Sequence, residues 1–100
     1  MKELFPREIR DLLPRLRQQE NSDDPIVYAK FFFPAAQWTW FVTEGEPQGD
    51  DFLFFGYVIG FEGEWGYFTL RELESVNISG IVIERDLYFE PRRFSDACAT

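Results

Sequence analysis

The chain has 100 residues, which is enough for one small domain and too few for a second hydrophobic core of any size. Hydrophobic residues make up 45% of it and include 12 Phe, so wholesale disorder is excluded. The net charge of −8 disfavours nucleic acid or an anionic membrane surface as a direct partner. With no His and one Cys, the chain cannot by itself assemble a Ser-His or Cys-His catalytic pair or the usual zinc ligand sets.

The sequence also carries signals about location. The first residues lack the apolar core of a signal peptide. The longest apolar stretch, residues 52–61, is about half the length of a membrane-spanning helix and contains two glycines. Cys98 has no second cysteine with which to form an internal disulfide. We therefore expect a cytoplasmic protein that does not bind membranes.

The N-terminal segment has the spacing of an amphipathic helix. Its apolar residues, from Phe5 to Leu16, fall on one helical stripe, and Pro14 should stop or kink the helix. We expect a short first helix, followed by a polar loop over residues 18–25.

Runs of β-forming residues occupy the middle of the chain. Residues 26–33 and 37–43 predict a hairpin, and residues 44–51 form a turn-rich acidic loop. Strands over residues 52–61 and 64–69 follow, so the order predicts an antiparallel meander. The central strands carry apolar residues on both faces, and both faces therefore need cover.

The last third begins with a capping-box pattern from Thr69 to Glu72, which predicts a short capped helix. Residues 81–83 are β-branched and predict a fifth strand or an extended segment, whereas the tail, residues 97–100, is expected to be mobile. The predicted fold is a single α+β domain over residues 1–100. It has an antiparallel sheet of four to five strands, an N-terminal helix, and a short capped helix before the last strand.

Several ordered phrases of this sequence resemble a known family. They are DPI at 24–26, YAKFF at 28–32, WTWFVTE at 38–44, FFG at 54–56, GYFTLRELE at 66–74 and ERDLYFEP at 84–91. The family is bacterial, of similar length, named only as a domain of unknown function, and frequent on plasmids, phages and integrative conjugative elements. The resemblance implies a setting on mobile DNA and assigns no catalytic or binding residue.

Acidic residues concentrate in the middle of the chain. Residues 21–84 hold two basic residues against eleven acidic ones, a net charge of −9. If these carboxylates lie on one side, they could mimic a phosphate track and attract a groove lined by Lys and Arg. The alternative is that they only keep a Phe-rich domain soluble. The predicted partner-binding residues are Asp23, Asp24, Glu44, Glu46, Asp50, Asp51, Glu62 and Glu64.

Aromatic side chains offer a second possible surface. Trp38, Trp40, Tyr57, Trp65 and Tyr67 could stack on unpaired bases, but the acidic composition argues against this and favours a core role for most of them. An exposed Trp could still anchor a protein partner, because Trp and Tyr dominate interface hot spots.

Signals of catalysis or metal binding are weak. Glu62 and Glu64 lie beside Trp65, as in a glycosidase-like acid/base pair, but two carboxylates alone do not make a catalytic site. The pairs at residues 23–24 and 50–51 lack the spaced oxygen ligands of a calcium loop. We predict no catalytic residue, no metal and no cofactor.

These observations favour a small acidic, non-enzymatic protein-binding module of a mobile element. Its partner would be a protein with a basic surface. An anti-defence inhibitor, either anti-CRISPR or anti-restriction, that competes with DNA on a host nuclease complex fits this description. The alternative is an accessory or regulatory subunit for conjugation or element maintenance that binds its partner through exposed aromatics.

Overall fold

A computed structural model of the chain describes residues 3–98, and a five-stranded antiparallel sheet dominates it. Nine strands occur within these residues: β1 Ile26–Val27, β2 Ala29–Phe33, β3 Trp38–Gln48, β4 Asp51–Ile59, β5 Gly63–Thr69, β6 Asn77–Ile78, β7 Ile81–Val82, β8 Glu84–Arg85 and β9 Arg92–Arg93. The helices are α1 Arg7–Arg10, α2 Leu70–Glu74 and α3 Phe94–Cys98. The main sheet has the order β5-β4-β3-β2-β8. The predicted α+β class and meander are confirmed.

Strand β3 is longer than the sequence indicates. The predicted acidic loop over residues 44–51 is wrong for most of its length, because β3 continues to Gln48 and only a tight turn at Gly49 and Asp50 separates it from β4. The register shifts between Val42 and Glu44, which marks a β-bulge at Thr43. Three of the four predicted loop carboxylates therefore belong to strands, Glu44 and Glu46 to β3 and Asp51 to β4.

The fifth strand is also displaced from its predicted position. Residues 81–82 pair with β6 in a separate two-stranded hairpin, whose turn residues Ser79 and Gly80 both have positive φ. This tight turn sends the chain back onto β6 before it reaches the main sheet. The fifth strand of that sheet is β8, which places Arg85 opposite Phe31 of β2.

One face of the sheet forms the larger core. Phe5, which precedes α1, packs with ring centroids 4.8 Å from Phe52 and 4.9 Å from Phe54. Leu73 of α2 is buried in the same cluster. Helix α2 carries the predicted capping box, in which Thr69 Oγ1 accepts a hydrogen bond from the backbone N–H of Glu72. The N-terminal and capped helices therefore cover this face together.

The opposite face is covered by the C-terminal segment. Helix α3 places Phe94 4.9 Å from Tyr57 and buries Ala97, so the predicted mobility of the tail is wrong for residues 97–98; residues 99–100 lie outside the described part. Asp24 holds the start of this helix, because Ser95 donates its N–H (2.8 Å) and its hydroxyl (2.6 Å) to the Asp24 carboxylate. A charge-assisted pair of hydrogen bonds thus fixes the chain end.

Two glycines, Gly56 of β4 and Gly66 of β5, are paired across these strands. Substitution of each by Ala should have opposite effects on stability. A Cβ on Gly56 would collide with the carbonyl oxygen of Phe41, whereas a Cβ on Gly66 would meet no atom within 4 Å. We expect Gly56→Ala to lower the free energy of unfolding by about 2 kcal/mol or more. Gly66→Ala should leave it unchanged or raise it by about 0.5 kcal/mol. Urea unfolding of both variants checks this, and equal losses would contradict the packing described.

The Asp24 contact predicts acid sensitivity of α3. Hydrogen bonds from the hydroxyl and then the N–H of Ser95 hold the pKa of Asp24 below its ordinary value of 3.8. A lowered folded-state pKa gives stabilisation that is complete above the unfolded-state pKa and is lost as pH falls through the folded value. We expect amide exchange in α3 to accelerate, relative to β4, once the pH drops below 3.8.

Two variants test the assignment to Asp24. Asp24→Asn should expose α3 to exchange already at neutral pH and remove the acid-dependent step. Asp96→Asn, which changes an exposed carboxylate of the same helix, should retain that step. Loss of the step in both variants would assign it to another group.

Candidate functional site

A groove of about 500 Å³ opens on the sheet face that carries α3. One wall is the turn-rich segment from Arg17 to Pro25, and the other consists of aromatic side chains of β4 and β5. Thr43 and Glu44, at the bulge of β3, lie between the two walls. The residues at the bulge therefore line the groove together with a segment that the sequence predicts as a polar loop.

Two strand carboxylates hold the first wall in place. Glu44 is only 4% exposed, and its two oxygens accept the backbone N–H groups of Arg17 (2.8 Å) and Gln19 (2.6 Å). Glu46 accepts the N–H of Leu16 at 3.2 Å and lies 3.7 Å from the Arg15 guanidinium. Because the carboxylate of Glu44 accepts two hydrogen bonds, the free-energy cost of burying its charge is offset.

Gln19 ties the same segment to two strands. Its side-chain amide donates to the carbonyls of Ile26 and Thr43, both at 2.9 Å, and its amide oxygen accepts the N–H of Ile26 at 2.7 Å. Three hydrogen bonds from one side chain give a turn-rich segment a fixed position. No periodicity or motif in the sequence indicates this role, since Gln19 lies in a wholly polar run.

The second wall is a ladder of aromatic rings. Phe55 stacks on Trp65 at 5.9 Å with an interplanar angle of 14°, and meets Tyr67 edge-on at 5.0 Å. Trp65 also packs against Phe94 of α3 at 4.8 Å. Even so, Trp65 is 41% and Tyr67 60% exposed, so their rings contribute both to the core and to the groove. Of the predicted aromatic set, these two are the ones that line this groove.

The groove is acidic as well as aromatic. Among its lining residues, Arg17 is the single cation, and its guanidinium is 3.0 Å from Glu20. Asp23 is exposed, and within residues 3–98 no side chain forms an ion pair with it. Among the described residues, no Lys or Arg side chain forms an ion pair with the Glu44 carboxylate either. Carboxylates beside aromatic faces attract organic cations, both by charge and by the ring quadrupole.

The structure distributes the eight predicted partner-binding carboxylates over separate places. Asp23 and Glu44 line the groove, Glu46 lies behind the same segment, and Asp24 is bound to α3. The other four are at the ends of β4: Asp50 and Asp51 at one turn, Glu62 and Glu64 at the other.

These two turns are far apart. With about 3.4 Å per residue, the nine-residue strand β4 separates its ends by about 27 Å. Asp50 lies 3.2 Å from the Arg71 guanidinium. Desolvation raises the pKa of Asp51, but hydrogen bonds from the N–H groups of Phe52 and Arg71 outweigh it and leave that pKa lowered. The turn carboxylates at this end thus have partners within the chain.

The remaining pair lies next to exposed aromatic rings. Glu62 and Glu64 border a shallow depression with Trp38 and Phe61, and the Phe61 side chain is 97% exposed. The ring centroids of Trp38 and Phe61 are 5.9 Å apart. This depression lies at the end of the sheet formed by the β4–β5 turn, and it shares no lining residue with the groove.

Residues 3–98 contain no group of three or more His, Cys, Asp or Glu side chains placed to hold a metal ion. Within the same residues, no helix is long and apolar enough to cross a membrane.

The buried carboxylate leads to a stability prediction. In Glu44→Gln, the amide oxygen can accept one of the two N–H groups, while the new NH₂ group faces the other donor. We expect a loss of about 2 kcal/mol in the free energy of unfolding, measured in urea, and faster proteolysis between Arg15 and Asp23. Asp23→Asn, at an exposed carboxylate, should change stability by less than about 0.5 kcal/mol. If Glu44→Gln leaves the free energy of unfolding unchanged, other contacts hold the segment.

Comparison with known proteins places the chain in a family. No curated protein and no solved structure matches it. A family model described as "Protein of unknown function (DUF2958)" matches residues 4–97, which confirms the resemblance to an uncharacterised family. The setting on plasmids, phages and conjugative elements stays a prediction. Since the match covers almost the whole domain, including every strand of the sheet and the groove, the chain belongs to the DUF2958 family.

Proposed function

We propose that this protein is a non-enzymatic protein-binding module that holds a basic segment of a partner protein in the groove. The observation that carries the proposal is the combination of the exposed carboxylate of Asp23, which has no ion pair within residues 3–98, with the half-exposed rings of Trp65 and Tyr67. An Arg or Lys side chain is the protein group that satisfies both features at once.

The chemistry of the groove supports binding rather than turnover. Glu44, its most buried carboxylate, already accepts two backbone N–H groups and has a structural task. The chain contains no His that could move protons near neutral pH. Asp23 is exposed to water, where its carboxylate can attract a cation.

The groove also narrows the sequence-based hypotheses. The predicted partner is still a protein with a basic surface. The groove combines the acidic surface of the anti-defence hypothesis with the exposed aromatics of the accessory-subunit hypothesis. A partner that holds DNA on a basic surface, such as a nuclease complex, has the required chemistry, and so has a basic segment of a conjugation protein. The anti-defence proposal is that a host nuclease complex supplies the basic segment that the groove holds.

Selection from a library of random peptides tests the proposal without knowledge of the partner. Peptides selected on the immobilised protein should be enriched in Arg or Lys, and their affinity should fall as ionic strength rises. Asp23→Asn and Tyr67→Ala should each lower the affinity for the selected peptides by about fivefold or more.

Matched variants outside the groove serve as controls. Glu8→Gln changes an exposed carboxylate of α1, beneath the opposite sheet face, and Tyr88→Ala removes a side chain that is 92% exposed beyond β8. Both should bind the selected peptides as the unmodified protein does. Selection of peptides without basic residues, or equal binding by the groove variants and the controls, would overturn the proposal.

A further inference from the structure

Strand β5 leaves an unusually open edge in the main sheet. It has seven residues, and within residues 3–98 no strand pairs with its outer side. The opposite edge is the two-residue strand β8, which is too short to recruit another chain. Proteins normally protect long edges with Lys, Pro or a bulge, and β5 has none of these in residues 63–69.

Two hydrogen bonds show which backbone groups of β5 point outward. Thr43 Oγ1 donates to the carbonyl of Phe55, so this carbonyl points to β3 and away from β5. Tyr67 is the register partner of Phe55, and Thr69, two residues further, donates its N–H to a carboxylate of α2 rather than to β4. Since direction alternates along an antiparallel strand, the N–H and C=O groups of Trp65 and Tyr67 face the open edge.

Gly66, between these two residues, adds a second observation. Its backbone has no positive φ, and a Cβ would meet no atom within 4 Å, so packing within the chain does not require glycine there. Glycine weakens the interior of a strand and often marks a place where another backbone approaches closely. At Gly66, the open edge therefore has no side chain that would keep another backbone at a distance.

Charge determines which segment fits this edge. Glu62 and Glu64 lie at one end of β5, Glu72 and Glu74 of α2 follow its other end, and residues 61–70 contain no Lys or Arg. A second copy of this chain would bring another net charge of −8 to the same edge. A basic segment has the opposite, attractive sign.

We propose that the basic partner segment binds as an extended strand added antiparallel to β5, with alternate side chains entering the aromatic groove. The proposal rests on the proposed function. Residues opposite Trp65 and Tyr67 in an antiparallel pair point to the same face as those rings, which is the groove face. These same residues of the added strand direct their N–H groups at β5. Main-chain hydrogen bonds supply affinity, and basic side chains in the groove supply specificity.

The test uses end-blocked peptides of seven alternating Val and Arg residues, a length that matches β5. In the peptide that begins with Val, one isomer carries N-methyl groups on the three Arg residues and the other on three of the four Val residues, so their composition, charge and side chains are identical. If Arg side chains enter the groove, the Arg N–H groups face β5. Methylation of Arg should then weaken binding by about tenfold or more, and methylation of Val should have little effect.

A second readout reports on the protein itself. The amides of Trp65 and Tyr67 should exchange rapidly in the free protein and slow down when the unmethylated peptide is added. The amide of Gly66, which faces β4, should be protected in both states. Protection of Trp65 and Tyr67 in a dimer of the free protein would assign the edge to a second copy and overturn the proposal.

The outcomes separate the two proposals. If both methylated peptides bind as tightly as the parent and Asp23→Asn still weakens all three, the groove binds cations and strand addition is wrong. The same conclusion follows if the two isomers lose affinity equally. If the unmethylated peptide does not bind at all, both proposals are overturned.

Discussion

Strands β3 and β4 have apolar side chains on both faces, and the arrangement of the rest of the domain follows from the need to remove both faces from water. The face with Phe31 and Phe54 is covered by the N-terminal segment and α2. The face with Phe41 and Tyr57 is covered by the segment after α1 and by α3. A chain of 100 residues has few residues left to form two covering layers. Short helices and turns therefore cover the sheet faces that longer helices cover in larger domains.

This shortage explains why carboxylates appear as structural groups. A turn-rich segment has few intramolecular hydrogen bonds of its own, and its backbone N–H groups need acceptors when it packs on a sheet. Glu44 and Glu46 provide acceptors for the segment at residues 16–19, and Asp24 provides one for the start of α3. Part of the acidic composition therefore belongs to the architecture and is not available to a partner.

The same arrangement produces the groove and the open edge. The segment at residues 17–25 and α3 do not cover the second face completely, and the rings of Trp65 and Tyr67 remain partly exposed in the groove. Both residues belong to β5, whose outer side pairs with no strand in the described part of the chain. An aromatic wall, the exposed carboxylate of Asp23 and an open sheet edge thus lie next to one another. Proximity of these three features makes one partner segment able to use them all.

The sequence by itself determined the local elements and the patterning. Alternation in residues 38–42 and 52–59 predicted strands with two apolar faces, the capping box from Thr69 to Glu72 predicted α2, and the order of the runs predicted the meander. These signals depend on side chains close together in the chain, where propensity, periodicity and capping act.

Only the tertiary structure decided the roles of the acidic residues. Glu44 looks like a loop residue because it is followed by Gly, Pro and Asp, yet cross-strand pairing with Phe55 draws it into β3 and buries it. Its partners, Arg17 and Gln19, lie 27 and 25 positions away in the chain, and Ser95 lies 71 positions from Asp24. No local pattern specifies which distant N–H group a carboxylate will meet, because that depends on how the layers close over the sheet.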